Sequence, residues 1–75
     1  MTAPWFLTMH AIKRCREMSL DRTAVVAVLD DAEITWPSYG RVVAAKGELA
    51  VVHDPTTRVV VTVLWWTQDD YQRAA

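Results

Sequence analysis

His10 and Arg14 are the two side chains whose types and spacing best suit chemistry. They are four residues apart, so on a helix both would project from one face, within reach of a single phosphate. The imidazole could act as a general base, and the guanidinium could stabilise negative charge in a transition state. The positive end of a helix dipole would favour a neutral imidazole in the first turn. The alternative interpretation is structural: His10 caps or packs between helix and sheet, and Arg14 bonds an acidic residue or backbone carbonyls.

The other nucleophilic and metal-ligating side chains give weaker signals. Cys15 is the single cysteine, which excludes an internal disulfide and a zinc site of several thiolates, and we expect it to be a small core residue. His10 and His53 have no spacing typical of a metal site, so we expect neither a metal nor another cofactor. His53 precedes Asp54 and Pro55 and is expected to be an exposed turn residue.

Charge is distributed unevenly along the chain. The net charge of −1 argues against a dedicated nucleic-acid binder, whose affinity comes largely from neutralising phosphates. Residues 10–22, however, carry four cations against Glu17 and Asp21, while the rest of the chain carries four cations against seven acids. This basic segment is either a ligand-binding face or an ordinary solvated helix face. Its cations are Lys13, Arg14, Arg16 and Arg22.

Capping residues indicate two helices in the first half of the chain. Thr8 is a suitable N-cap for a helix that begins at Met9. Ser19 or Asp21 could cap a second helix, and residues 23–29 are apolar on nearly every side. The β-branched residues in that segment leave a strand as the alternative, but the cap favours a buried helix.

Turn signals indicate strands in the second half. We expect a strand at 33–36 that stops at the turn-forming residues 37–40, and a hairpin of 41–45 with 48–52 around Lys46 and Gly47. A further turn at 53–57 leads to the longest β-type run, 58–66, which we expect to be the central strand. Residues 68–75 are expected to form a polar tail or a short helix.

These elements predict a single α+β domain over 1–75, with two N-terminal helices packed on a three- to four-stranded antiparallel sheet. Strict alternation would put Val59, Val61, Val63 and Trp65 on one face of the last strand and Val60, Thr62, Leu64 and Trp66 on the other. Both faces are apolar, which predicts that both are covered and favours a homodimer. Trp36, Trp65 and Trp66 could stack on bases but are better explained by packing. No apolar run reaches a membrane-spanning length, so we expect a cytoplasmic protein.

The His-Ala-x-x-Arg element at residues 10–14 belongs to a longer ordered pattern. Its parts are Thr8-Met-His-Ala-Ile-Lys-Arg-Cys-Arg-Glu-Met-Ser-Leu20, then Val25 and Leu29, then Gly47-Glu-Leu-Ala-Val-Val52, then Val60-Val-Thr-Val63. The pattern resembles a family of uncharacterised bacterial and phage proteins that is distantly related to the RelE and BrnT toxins. It covers most of residues 8–64, and its specificity comes from the order of the elements.

The resemblance implies a RelE/BrnT-like fold and a small ribonuclease toxin that works without metal. It implies catalysis by His10 and Arg14, and it implies RNA or the ribosome as substrate with an antitoxin or host protein as partner. Met18 stands where the family usually has arginine, so Arg16 would have to take that place. Residues expected to bind substrate are Lys13, Arg16, Arg58 and Thr62, with Lys46 and Tyr39 as further candidates for acid and phosphate roles.

A second class of function is also compatible with the sequence. Low net charge and four tryptophans are typical of an interaction protein, such as a phage or mobile-element product that binds and modulates a host protein. The two classes differ in what they require of His10 and Arg14. A nuclease needs both in an open cleft with converging cations, whereas a binding protein can use them to hold the fold together.

Overall fold

Two short helices begin at the residues that the capping signals predict. A computed structural model describes residues 4–66 of the chain. The Thr8 hydroxyl accepts a hydrogen bond from the Ala11 amide (3.0 Å), and the Asp21 carboxylate accepts one from the Ala24 amide (2.9 Å). Each cap satisfies an amide that the helix itself leaves without a partner. The helices are α1, Met9–Glu17, and α2, Arg22–Asp30.

The strands form one mixed sheet of five, in the order β1-β5-β4-β3-β2. β1 pairs with β5 in parallel, and all other neighbours are antiparallel. The α+β class and the two helices are confirmed. The predicted antiparallel sheet is found in β2–β5, and the prediction of three to four strands missed a fifth strand, β1, which adds a parallel pairing. The strands are β1, Phe6–Leu7; β2, Ile34–Ser38; β3, Arg41–Lys46; β4, Leu49–Asp54; and β5, Val59–Trp65.

The strand missing from the prediction, β1, is too short to show a periodic pattern. Its two residues are held by long-range hydrogen bonds: the Phe6 amide donates to the Arg58 carbonyl (2.9 Å), and the Thr8 amide donates to the Val60 carbonyl (3.1 Å). The chain then turns directly into α1. β1 therefore places the start of α1 beside the edge of β5.

β5 is not the central strand that its length suggested. β4 occupies the middle of the sheet, and β5 lies second from one edge. The register also skips Val61, because Val52 pairs with Thr62 while His53 pairs with Val60. This β-bulge resets the alternation. Val60 and Val63 consequently belong to the same core cluster, so the predicted division of β5 into two faces is wrong beyond the bulge.

The two hairpins follow local turn chemistry. Gly47, with φ +61°, closes the hairpin predicted at Lys46 and Gly47. Tyr39 and Gly40 both have positive φ in the turn between β2 and β3. β2 runs through Pro37 rather than stopping before it, because β2 is an edge strand and pairs only with β3. The tail predicted at 68–75 lies outside the described residues.

Apolar side chains pack on both faces of the sheet. The larger cluster joins α1, α2 and Trp5 to the sheet, and it contains Val25, Val51, Val60 and Val63, all fully buried. The smaller cluster, on the opposite face, contains Val43, Ala45, Ala50 and Trp66, with Trp36 packed against them. None of the helices within residues 4–66 is long and apolar enough to cross a membrane.

Candidate functional site

Arg14 ties α1 to the edge of the sheet. Its Nε donates a hydrogen bond to the Val63 carbonyl (3.3 Å), and its Nη1 lies 3.6 Å from a Glu17 carboxylate oxygen. Its side chain is 35% exposed. This arrangement matches the structural alternative for Arg14, in which an acidic residue and a backbone carbonyl hold the guanidinium.

Two other residues of the Thr-x-His-Ala-x-x-Arg pattern also hold α1 against the sheet. The Thr8 hydroxyl donates to the Val61 carbonyl (2.9 Å) while it caps α1, and Ala11 is fully buried in the core between α1 and the sheet. Together with Arg14 they fasten a helix to the edge of β5. The packing of α1 therefore explains the spacing of three of the four residues, and His10 is the exception.

His10 is exposed and lines a shallow depression on the outer side of α1. Lys13 and Arg16, both exposed, line the same depression, so the structure brings His10 together with two of the predicted substrate-binding cations. Arg14 does not line it. The remaining lining residues are Met9 and Ile12.

A second depression adjoins the first, and Ile12 and Arg16 line both. It runs between β1, α1 and the start of α2. We call the combined surface the α1 groove, and no acidic residue lines it within the described part of the chain. The second depression is lined by Phe6, Leu7, Ile12, Cys15, Arg16, Leu20 and Arg22.

Two large apolar side chains stand exposed at the α1 groove. Met9 is 82% exposed and Phe6 is 61% exposed. Neither residue stands out in the sequence as a functional candidate. The sequence did offer a signal. Met9 is an apolar residue at the first position of α1, and it follows the apolar pair Phe6-Leu7 after a single residue.

The other predicted substrate-binding residues lie away from His10. The Arg58 guanidinium stacks over the Trp5 ring, 4.0 Å from its centroid. Thr62 pairs with Val52 on the face of the sheet opposite the helices, and its hydroxyl is 3.5 Å from the Val63 carbonyl. Neither lines the α1 groove.

The two further candidates for acid and phosphate roles are also remote from the α1 groove. Lys46 forms an exposed ion pair with Asp31 (2.7 Å) at the end of α2. Tyr39 is fully exposed in the turn between β2 and β3. The structure therefore does not bring these side chains to His10.

His53 is buried, so its assignment as an exposed turn residue is wrong. β4 extends to Asp54 and places the His53 ring edge-on to the Trp5 ring, with 5.2 Å between centroids. Burial lowers the pKa of His53, and the nearby positive charge of Arg58 lowers it further. The prediction failed because β4 continues beyond the hairpin residues that indicated it.

Cys15 and Met18 both serve packing. Cys15 is buried as expected, and burial raises the pKa of its thiol, which disfavours the reactive thiolate. Met18 is partly buried and packs against the helix-side core.

The described residues contain no group of three or more histidine, cysteine, aspartate or glutamate side chains arranged to hold a metal ion. Comparison of the chain with protein-family models, with curated proteins and with solved structures gave no match. The resemblance to the toxin-related family thus rests on the sequence pattern alone. The geometry of the α1 groove is the principal observation bearing on function.

Proposed function

We propose that the protein is a non-catalytic interaction protein that binds another protein through the α1 groove. The observation that carries this proposal is the exposure of Phe6 and Met9 beside a cationic helix face. Exposed apolar side chains grouped around a depression mark interaction sites more often than isolated ones do. The setting we favour is a cytoplasmic phage or mobile-element product that modulates a host protein.

The use of Arg14 supports binding over catalysis. A metal-free ribonuclease needs a base and a cation directed at one phosphate. The Arg14 guanidinium is instead engaged with Val63 and Glu17, and Met18 packs in the core. A binding protein has no need of that convergence, because its affinity comes from buried apolar area and complementary charge.

Selection from a random peptide library displayed on phage tests the binding function. We expect selected peptides to bind the full chain and to lose binding to a Met9→Ser variant, which removes an apolar contact on the groove. Tyr39→Asn is the matched control, because Tyr39 is exposed elsewhere and asparagine tolerates its positive φ. Peptides that bind both variants equally would show that the α1 groove is not the binding surface.

A second candidate function is the RelE/BrnT-like ribonuclease that the sequence pattern implies. One observation favours it: His10, Lys13 and Arg16 line the same solvent-facing depression. In this case RNA or the ribosome is the substrate and an antitoxin is a partner. The purified protein would then cleave RNA in the presence of chelator and leave cyclic phosphate ends, because the 2′-hydroxyl is the nucleophile.

Two variants separate catalysis from folding in that assay. His10→Ala should lower cleavage about a hundred-fold without changing the melting temperature, since His10 is exposed. Arg14→Ala should lower the melting temperature, because it removes the bond to Val63. Intact RNA with and without ribosomes, together with an unchanged phenotype of His10→Ala, would leave binding as the function.

The homodimer expected from the sequence is also a proposal. Trp65, at the end of β5, is 55% exposed and would be available to a second copy, whereas Trp66 packs within its own chain. Sedimentation at micromolar concentration should give a dimer that Trp65→Ser dissociates. A monomer under these conditions would contradict the proposal.

A further inference from the structure

The α1 groove combines an apolar floor with a cationic rim. Leu7, Ile12 and Leu20 are half-buried residues that line it, and Phe6 adds an exposed ring at its side. Half-buried aliphatic side chains in a depression offer a place for one or two apolar side chains of a ligand. The floor therefore favours a ligand with apolar anchors over a wholly polar one.

Nearby carboxylates do not neutralise the cations of the rim. The Lys13 and Arg16 side chains make no hydrogen bond or ion pair with any residue of the described range 4–66. Residues 10–22 contain two acidic residues: Glu17 contacts Arg14, and Asp21 caps α2. The rim thus keeps a positive charge that a ligand can use.

Arg22 extends the cationic rim at the far end of the α1 groove. Its guanidinium donates to the Trp5 carbonyl, which holds the side chain beside β1. The positive groups at the α1 groove consequently come from two elements: Lys13 and Arg16 belong to α1, and Arg22 is at the start of α2. A complementary ligand carries acidic groups flanking its apolar anchors.

From this complementarity, and resting on the proposed binding function, we propose that the α1 groove binds an acidic amphipathic segment of a partner protein. Its apolar side chains would contact Ile12, Leu20 and Phe6, and its carboxylates would face Lys13, Arg16 and Arg22. The concave shape of the α1 groove favours a peptide segment over a bilayer, because side chains of a peptide can enter a depression between β1 and α1.

The composition of peptides selected from the phage-displayed library tests this inference. We expect enrichment of aspartate and glutamate next to leucine, isoleucine or phenylalanine, and affinity that falls as salt rises. Arg16→Glu should weaken the selected peptides about tenfold or more, and peptides with lysine in place of the acids should recover binding to this variant. Arg41→Glu is the matched control, because Arg41 is an exposed cation of β3 outside the α1 groove.

The possible failures are distinguishable. Peptides that lose binding to Met9→Ser but carry no acidic bias, or bind Arg16→Glu unchanged, would overturn the acidic segment and leave the proposed binding function intact. A library that gives no peptide sensitive to Met9→Ser would overturn both. Vesicles of phosphatidylcholine and phosphatidylserine that bind the full chain, lose binding with Arg16→Glu and compete with no peptide would show an anionic membrane surface instead. Circular dichroism of each variant checks that the fold is kept.

Discussion

The two faces of the sheet are covered by different means. On one face, α1 and α2 pack on the sheet together with Trp5 and bury valines of β4 and β5 completely. On the opposite face, no helix lies within residues 4–66, and Trp36 and Trp66 pack against each other with ring centroids 5.0 Å apart. Beneath them Ala45 and Ala50 pair directly and are fully buried.

The difference shows how a short chain can protect both faces of a sheet. An indole buries a large apolar area, and small strand residues let it approach the backbone closely. Alanines on β3 and β4 provide that space for tryptophans that belong to the sheet itself or follow it directly. The helix face depends on packing between helices and strands, whereas the tryptophan face is covered by side chains of the strands themselves together with Trp66.

Removing Trp66 should have the largest effect on stability. Trp66→Ala deletes a buried indole that covers the alanines, and we expect the free energy of unfolding to fall by about 3 kcal/mol. Trp65→Ala, one residue away but half exposed, should cost about 1 kcal/mol or less. Urea denaturation followed by circular dichroism measures both. Equal losses would contradict the assignment of Trp66 as the cover of this face.

Changes to adjacent valines of β4 should distinguish the two faces. Val51 is fully buried on the helix side, so Val51→Ala should lower the free energy of unfolding by about 2 kcal/mol. Val52 is half-buried on the tryptophan side, and Val52→Ala should cost about half as much. Chemical denaturation of the two variants gives the comparison, and a larger loss for Val52→Ala would reverse it.

The helix face should be sensitive to acid through His53. Burial, and to a lesser extent Arg58, lowers the pKa of His53 below its unfolded value, while Asp54 opposes the shift. The unfolded chain then binds the proton more readily, so stability is retained above about pH 6.5 and is lost as the pH falls below that value.

Urea midpoints measured between about pH 8 and about pH 5 test the role of His53. His53→Gln removes the titrating group and should flatten the loss on the acid side. His10→Gln, a change at an exposed histidine, is the control and should keep the loss seen in the native chain. If both variants lose stability with the same pH dependence, another group is responsible.

The ion pair at the rim of the sheet should contribute least. The Asp31 carboxylate and the Lys46 ammonium are 2.7 Å apart and solvent-exposed, and their contact lowers the pKa of Asp31 and raises that of Lys46. Water and salt screen such pairs, so Lys46→Met should change the melting temperature little. Lys13→Met is the control for loss of an exposed lysine. A decrease in melting temperature as large as that caused by Val51→Ala would show that packing is not the dominant contribution to stability.

The parts of the fold that could be predicted from sequence depend on neighbouring residues. The Thr8 and Asp21 side chains cap their helices by accepting a hydrogen bond from the amide three residues ahead, and Gly47 supplies the positive φ of its own turn. β1, the bulge at Val61 and the position of β5 could not be predicted in this way. β1 and the position of β5 depend on the pairing of segments far apart in the chain, and the bulge depends on the register between β4 and β5. Local sequence patterns do not show either of these.

In the candidate site, too, some features follow from neighbouring residues and others from contacts between distant segments. Helical spacing predicted that His10 and Arg14 share one face of α1, whereas the cations that line a depression together with His10 are Lys13 and Arg16. Helical spacing cannot decide between catalysis and structure for Arg14, because its bond to Val63 joins residues 49 positions apart. The burial of His53 likewise depends on Trp5, which reaches it from the other end of the chain.

The sequence by itself determined the helix starts, the hairpin turn and the charge of α1, since each follows from residues within one or two turns of the chain. Only the tertiary structure decided which charged side chains remain available to a ligand. Arg14 is tied to the edge of β5, Arg58 stacks on Trp5, and Lys13 and Arg16 remain exposed. The physical reason is that a side chain's partners are set by the pairing of β1 with β5, a contact whose formation depends on the whole fold.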